Sequence, residues 1–228
     1  MNLLRSLLFL AGAVLSTALL SAKDFEGSIT MEIKDGKKGV PLTYTMKKDR
    51  LRVDVAAEGM TMTTLMDLQK KEMVMLMPNE KMYMVMPIQE VAEAAAKANE
   101  GTPLEKTNET ERILGYLCTK YISTERGTTT EIWAAEGIGA FMGANANNNP
   151  MKPAARNKWE RELMENGAFP LRVVTKNRSG KETMRMEVVA IDKKSVADST
   201  FAIPEGFQRF DMGGMMKGMM KGLIPGAK

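Results

Sequence analysis

The sequence predicts an α+β fold: one strongly curved antiparallel sheet with two main helices against one face. Three observations predict it. Apolar and polar residues alternate with period two from residue 23 to 87, and again from 113 onward. Short polar turns break that alternation into hairpin-sized pieces. Only two segments switch to a helical period, and no βαβ repetition accompanies them, which argues against a parallel sheet.

Residues 1–22 come first. A basic start at Arg5, an apolar run of 15 residues from Ser6 to Leu20 and the small pair Ser21-Ala22 fit a secretory signal peptide. Leu20 is a poor fit at the third position before the cut, which leaves cleavage after Ala18 as the alternative. The run is shorter than the roughly 20 residues of a membrane span, so export to the periplasm is expected ahead of a retained anchor. No Cys follows the cut, as a lipid-modified lipoprotein would require. The remaining chain, 23–228, carries 31 basic and 28 acidic residues, a net charge of +3. That is too weak for nucleic acid to be expected as a partner.

The first strands follow. Ile29, Met31 and Ile33 share one face; Leu42, Tyr44 and Met46 share the next, opposite Thr43, Thr45 and Lys47. With a turn centred on Lys48-Asp49, Met46 falls opposite Leu51 and Tyr44 opposite Val53, which keeps the apolar sides together. Strands at 60–67, 72–77 and 82–86 are joined by Leu68-Gln-Lys-Lys71 and Pro78-Asn-Glu-Lys81, both of hairpin length.

The period changes at 88–99, where Ile88, Val91, Ala92 and Ala95 make a helical stripe ended by Gly101. Residues 102–112 read as a polar loop. Strands resume at 113–122 and 128–134, and the Asn-rich stretch 145–153 reads as a loop. A second helix is expected at 154–166, with Ala155, Trp159 and Leu163 on one stripe and Gly167 at its stop. A last hairpin joins 171–175 to 183–191, and Phe201-Ala-Ile-Pro204 reads as a short edge element. Residues 23–211 are therefore expected to form one domain. Residues 212–228 form a Met/Gly/Lys tail whose glycines oppose helix formation. That tail is expected to be flexible, with peripheral membrane contact as its alternative use.

Enzyme chemistry finds little support. The chain has no His, which removes imidazole acid/base catalysis and the nucleophile arrangements built on it. The nucleophile-elbow, phosphate-loop and dinucleotide fingerprints are absent. No catalytic residue, metal ligand set or cofactor is assigned. The single Cys118 forms no intrachain disulfide and is expected to pack inside its strand. Trp133 and Trp159 are expected to anchor the core, with ligand stacking as the alternative.

Methionine is the outlier, with 22 residues against 7 Phe. The expected turns set Met66 opposite Met73, Thr64 opposite Met75 and Met62 opposite Met77. They then set Met77 opposite Met82, Met75 opposite Met84 and Met73 opposite Met86. Side chains alternate along a strand, so all of these share one face. With Met60, that face holds nine Met and Thr64. Three uses compete. It could be packed core, although flexible Met specifies packing poorly. It could be an adaptable apolar surface for a lipid or acyl chain, since unbranched, polarizable Met reshapes around varied partners. It could bind soft Cu(I) or Ag(I) through thioethers. The expected function is non-enzymatic binding of a lipid or acyl chain, with Met62, Met66, Met73, Met75, Met77, Met82, Met84 and Met86 as the ligand-binding residues. Soft-metal binding and a structural or interaction module without a small ligand are the alternatives.

Several stretches also carry a family resemblance: Phe25-Glu-Gly27, Arg50-Leu-Arg52, Gly115-Tyr-Leu-Cys-Thr-Lys-Tyr121, Glu131-Ile-Trp133, Phe169-Pro-Leu-Arg172 and Phe201-Ala-Ile-Pro-Glu-Gly206. Over most of the exported chain they resemble a family of exported bacterial proteins catalogued as a domain of unknown function. That family looks related in fold to the periplasmic lipoprotein carriers. The resemblance implies a half-open β-barrel under a helical lid. It does not imply the carriers' cargo, whose binding residues have no counterpart here.

Overall fold

The computed structural model describes residues 25–35, 38–57, 60–88, 103–139, 141 and 158–210. They form one open, curved sheet of twelve strands. The first six are β1 (Gly27–Asp35), β2 (Lys38–Lys47), β3 (Arg50–Ala57), β4 (Met60–Asp67), β5 (Glu72–Met77) and β6 (Met82–Pro87). Then come β7 (Glu105–Ile113), β8 (Tyr116–Glu125), β9 (Thr128–Glu136), β10 (Ala168–Lys176), β11 (Glu182–Lys193) and β12 (Gln208–Arg209). The spatial order is β12-β6-β5-β4-β3-β2-β1-β11-β10-β9-β8-β7. Two meanders, β1 to β6 and β7 to β11, thus join through the β1–β11 pair. Every pair is antiparallel except β12 with β6.

The α+β expectation is overturned. The described residues are nearly all β, and they contain one α-helix of eight residues, α1 (Lys158–Glu165), rather than two main helices. Of the first expected helix, 88–99, only Ile88 lies among the described residues. The expected signal peptide 1–22 and tail 212–228 lie outside them. Of the second expected helix, 154–166, residues 158–165 form α1, and Trp159 and Leu163 of its stripe are buried, while Ala155 lies outside the described residues.

The expected polar loop 102–112 is also corrected, since most of it is β7. This strand lies at the free edge of the sheet, so most of its side chains are solvated and its sequence lacks alternation. The expected strand 113–122 is interrupted for a related reason. Leu114 (φ 49°) and Gly115 (φ 85°) both take positive φ, the signature of a two-residue type I′ hairpin, and they turn β7 into β8. Arg126 and Gly127 repeat the device between β8 and β9.

The hairpin registers stand as the sequence predicts them. Met46 faces Leu51, and Tyr44 faces Val53. The core lies on the face shared by Ile29, Met31, Leu42, Tyr44, Ile132, Phe169, Leu171, Val173 and Met186, all 3 % exposed or less. At its centre, Phe169 meets Tyr44 edge-on at 5.7 Å and Phe141 at 5.5 Å, while Phe141 stacks on Trp159 at 6.1 Å. Aromatic pairs in these geometries add about 0.5–1.5 kcal/mol each beyond area burial. They fix α1 against β10.

Candidate functional site

The Met-rich surface is built by β4, β5 and β6. Three facts of sequence produce it: Met at every second position, four-residue turns that preserve parity, and left-handed Lys71 and Lys81 closing those turns. Met66 faces Met73, and Thr64 faces Met75. Met77 faces Met82, Met75 faces Met84 and Met73 faces Met86. Met62 and Met77 come next along the β4–β5 register, one step beyond Thr63 and Leu76.

The rows extend across the sheet. Tyr44, Val53, Thr64, Met75 and Met84 form one; Met46, Leu51, Met66, Met73 and Met86 form another; Leu42, Val55 and Met62 lie in a third. The Met face is therefore a continuation of the core face. From Leu42 to Met86 the side chains of that parity include no charged group, and Tyr44 and Thr64 carry its hydroxyls.

Burial divides the eight residues. Met66, Met73, Met75 and Met84 are buried, at 7–9 % exposure. Met62, Met77, Met82 and Met86 are half-buried. Met66 and Met73 belong to the main hydrophobic core, and Met86 packs against it. Met75 and Met84 are buried outside that cluster. The surface thus runs from core at the Met66–Met73 pair to an accessible margin at Met77–Met82. Met60 pairs with Ala57 in β4, and nothing further is described of its side chain.

The opposite face holds what sequence reasoning missed. After β11 the chain crosses back over the outward side chains of β2 and β3. Glu26 accepts a hydrogen bond from the Val196 amide at 2.7 Å, and Lys47 Nζ donates to the Val196 carbonyl at 2.6 Å. Asp198, opening the short 3-10 turn Asp198–Phe201, pairs with Lys47 at 2.9 Å and Arg50 at 2.6 Å. Arg52 donates to the Thr200 carbonyl at 3.0 Å while holding Asp54 through both of its carboxylate oxygens. Arg50 lies 5.1 Å from the centre of the Phe201 ring. The strap then reaches the far edge, where the Gln208 amide donates to the Lys81 carbonyl and the Phe210 amide to the Tyr83 carbonyl. On the face it crosses, Thr63, Leu65 and Leu76 are buried. The available signal was the outward trio Lys47, Arg50 and Arg52 with a distant Asp198. Nothing in the spacing ties them together.

These contacts hold two carboxyls below their ordinary values. For Asp198 the first cause is the hydrogen bond from Lys47, then that from Arg50. For Glu26 it is the Val196 amide.

Other candidates resolve as follows. Cys118 is fully buried, and burial pushes its thiol up from the ordinary range, so it is a poor nucleophile at neutral pH. Trp159 is a core residue. Trp133 is half-buried on the outer face under Lys120, 5.6 Å from the ring centre. Around Arg172 the same face carries paired charges: Arg172 binds Glu111 and Glu187, each at 3.0 Å. Among the described residues, no group of three or more His, Cys, Asp or Glu side chains could hold a metal ion.

Comparison with known proteins agrees with this architecture. The family model described as Domain of unknown function (DUF4412) matches residues 25–207, and the chain belongs to that family. No curated protein matches it. Among solved structures, an uncharacterized conserved protein from Thermus thermophilus is similar in fold, with TM-score 0.50 and 12% identity over 80% of this chain and 88% of that one. The MucA/MucB complex of Pseudomonas aeruginosa gives TM-score 0.44 and 10% identity over 79% of this chain and 56% of the other. A putative outer membrane lipoprotein-sorting protein domain from Vibrio parahaemolyticus gives 0.29 and 10% over 77% and 87%.

Proposed function

We propose that this DUF4412 chain is an exported, non-enzymatic binding protein that takes a lipid acyl chain onto its Met face. One observation carries the reading: an uncharged thioether surface continuous with the core, whose margin at Met62, Met77 and Met82 is only half-buried. An acyl chain laid along that margin would complete the burial that the protein leaves unfinished. Each methylene removed from water contributes about 0.8 kcal/mol, so ten of them supply about 8 kcal/mol, against an association cost of about 4 kcal/mol or more. Unbranched Met adapts to such a chain without a fixed pocket shape. The absence of His and the burial of Cys118 support a role without catalysis, and residues 1–22 support export to the periplasm.

The test is titration of the protein, recovered from the periplasm without residues 1–22, with a fluorescent fatty acid. Saturable binding is expected, and Met75→Leu should leave it within about twofold, because volume and apolarity are kept. Met75→Glu should abolish it. Absence of saturable binding would sink the reading. A soft-metal site is the second reading, resting on Met77 directly opposite Met82. Silver binding that Met77→Leu weakens, with no fatty-acid binding, would decide for it, since a thioether ligand would be lost.

A further inference from the structure

The half-buried and buried thioethers differ in a second property, their access to oxidants. We infer that Met62, Met77, Met82 and Met86 form a modification site for two-electron oxidants such as hypochlorous acid, and that their oxidation switches the Met face from apolar to polar. The inference deepens the acyl-chain reading and rests on it only for the consequence, not for the chemistry.

The chemistry is that of a thioether. A sulfur lone pair attacks the chlorine of HOCl, the S–Cl bond forms and the O–Cl bond breaks with hydroxide leaving; a water oxygen then bonds to sulfur and displaces chloride, which leaves with the S–Cl electron pair. Of that water's two protons, one neutralises the hydroxide and the other is released to solvent. Sulfur is oxidised by two electrons, and formally positive chlorine is reduced to chloride. The product is a methionine sulfoxide, which is polar and chiral.

Three observations select these four residues. They are half-buried, whereas Met66, Met73, Met75 and Met84 on the same face are buried. Three lie together, since Met77 faces Met82 and Met62 comes next along the β4–β5 register, while Met86 sits at the other end of β6 opposite Met73. The face also offers few donors to a sulfoxide oxygen. From β3 to β6 the side chains of that parity are Leu51, Val53, Val55, Ala57, Thr64 and Met, leaving Thr64 as the hydroxyl. A sulfoxide covered by an acyl chain would lack partners, so oxidation and ligand retention oppose each other. A bound chain would in turn shield the sulfurs.

The experiment treats the exported protein with limiting hypochlorous acid and maps the added oxygen by peptide mass spectrometry, with and without dodecanoic acid. The expected result is that Met62, Met77, Met82 and Met86 oxidise at least fivefold faster than Met66, Met73, Met75 and Met84. Equal rates across the eight would overturn the inference, whether or not fatty acid binds. With ligand present, the four should be protected. After oxidation, fluorescent fatty-acid affinity should fall about tenfold or more, while in the quadruple variant Met62→Leu, Met77→Leu, Met82→Leu, Met86→Leu oxidant should leave the affinity at its starting value, whatever that value is. Selective oxidation with unchanged affinity would overturn the switch. Selective oxidation of a protein that binds no fatty acid would leave the modification site standing and remove the acyl-chain reading.

Discussion

Replacing Gly27 by Ala tests how the strap is anchored. Gly27 has φ of 148°, a region open to glycine and closed to most L residues. A Cβ at this position would lie 2.1 Å from the Asp192 carbonyl oxygen and 3.0 Å from the Lys193 Cα. Both are backbone atoms of β11, so no side-chain rotation relieves the clash. Either β1 or β11 must move where Gly27 pairs with Lys193, and where the strap begins with Lys194 donating to the Glu26 carbonyl. Backbone strain costs about 1–3 kcal/mol, and disturbing the adjoining pairing adds about 1 kcal/mol more, giving roughly 2–4 kcal/mol. For a domain of this size, that is a fall in Tm of about 4–16 °C. Gly180→Ala is the control. It also has positive φ, 79°, but nothing lies within 4 Å of its added carbon, so only about 1 kcal/mol is expected. Thermal melts followed by circular dichroism compare the two. If Gly27→Ala melts within about 2 °C of Gly180→Ala, the close approach of β1 to β11 is not what sets this position.

The strap should respond to acid. Folded-state pKa values of Asp198 and Glu26 lie below their ordinary 3.8 and 4.5, so their contribution is present above those values and is lost as pH falls through the lower folded ones. The Tm gap between wild type and the Asp198→Asn, Glu26→Gln double variant should therefore be open at pH 7 and close below about pH 4; a gap constant down to about pH 2.5 would contradict the assigned pairing. Cys118 should react with a thiol reagent only on global unfolding, because it is fully buried with a raised pKa. Rapid labelling of the native protein at mildly alkaline pH would show that β8 opens locally.

What the sequence made legible was the local part of the fold. Parity through Leu68–Lys71 and Pro78–Lys81 sufficed to place Met75 against Thr64 and Met84, because a hairpin register depends on turn length and alternation alone. The class failed for reasons equally physical. Before Ile113 the edge strand β7 buries no side chain, so no alternation exists to be read from Glu105 to Arg112. The Leu114-Gly115 turn lies inside an apolar run, and its positive φ values, rather than polarity, make the bend. Among the described residues helices contribute less than expected: the stripe positions Trp159 and Leu163 are buried, but they belong to an element of eight residues.

The candidate site shows the same division between local and distant information. Which Met residues share a face follows from periodicity. Which of them are accessible does not, because accessibility depends on contacts many residues away: the aromatic cluster of Tyr44, Phe141 and Phe169 on one side of the sheet, and the strap on the other. The strap matters to the Met face although it never lies on it. Thr63, Leu65 and Leu76 are buried on the outward face, so β4 and β5 have apolar or neutral side chains covered on both sides. Among the described residues, β6, at the far end of the meander, pairs beyond it with only the two residues of β12. A short, parallel, terminal pairing of this kind holds the edge without sealing it. The accessible margin at Met77 and Met82 lies at that same edge, where Met82 is itself the partner of Gln208. On the acyl-chain reading, ligand access and edge protection would therefore meet at one point in the sheet. A change that loosens β12 should alter binding to the Met face before it alters the stability of the core.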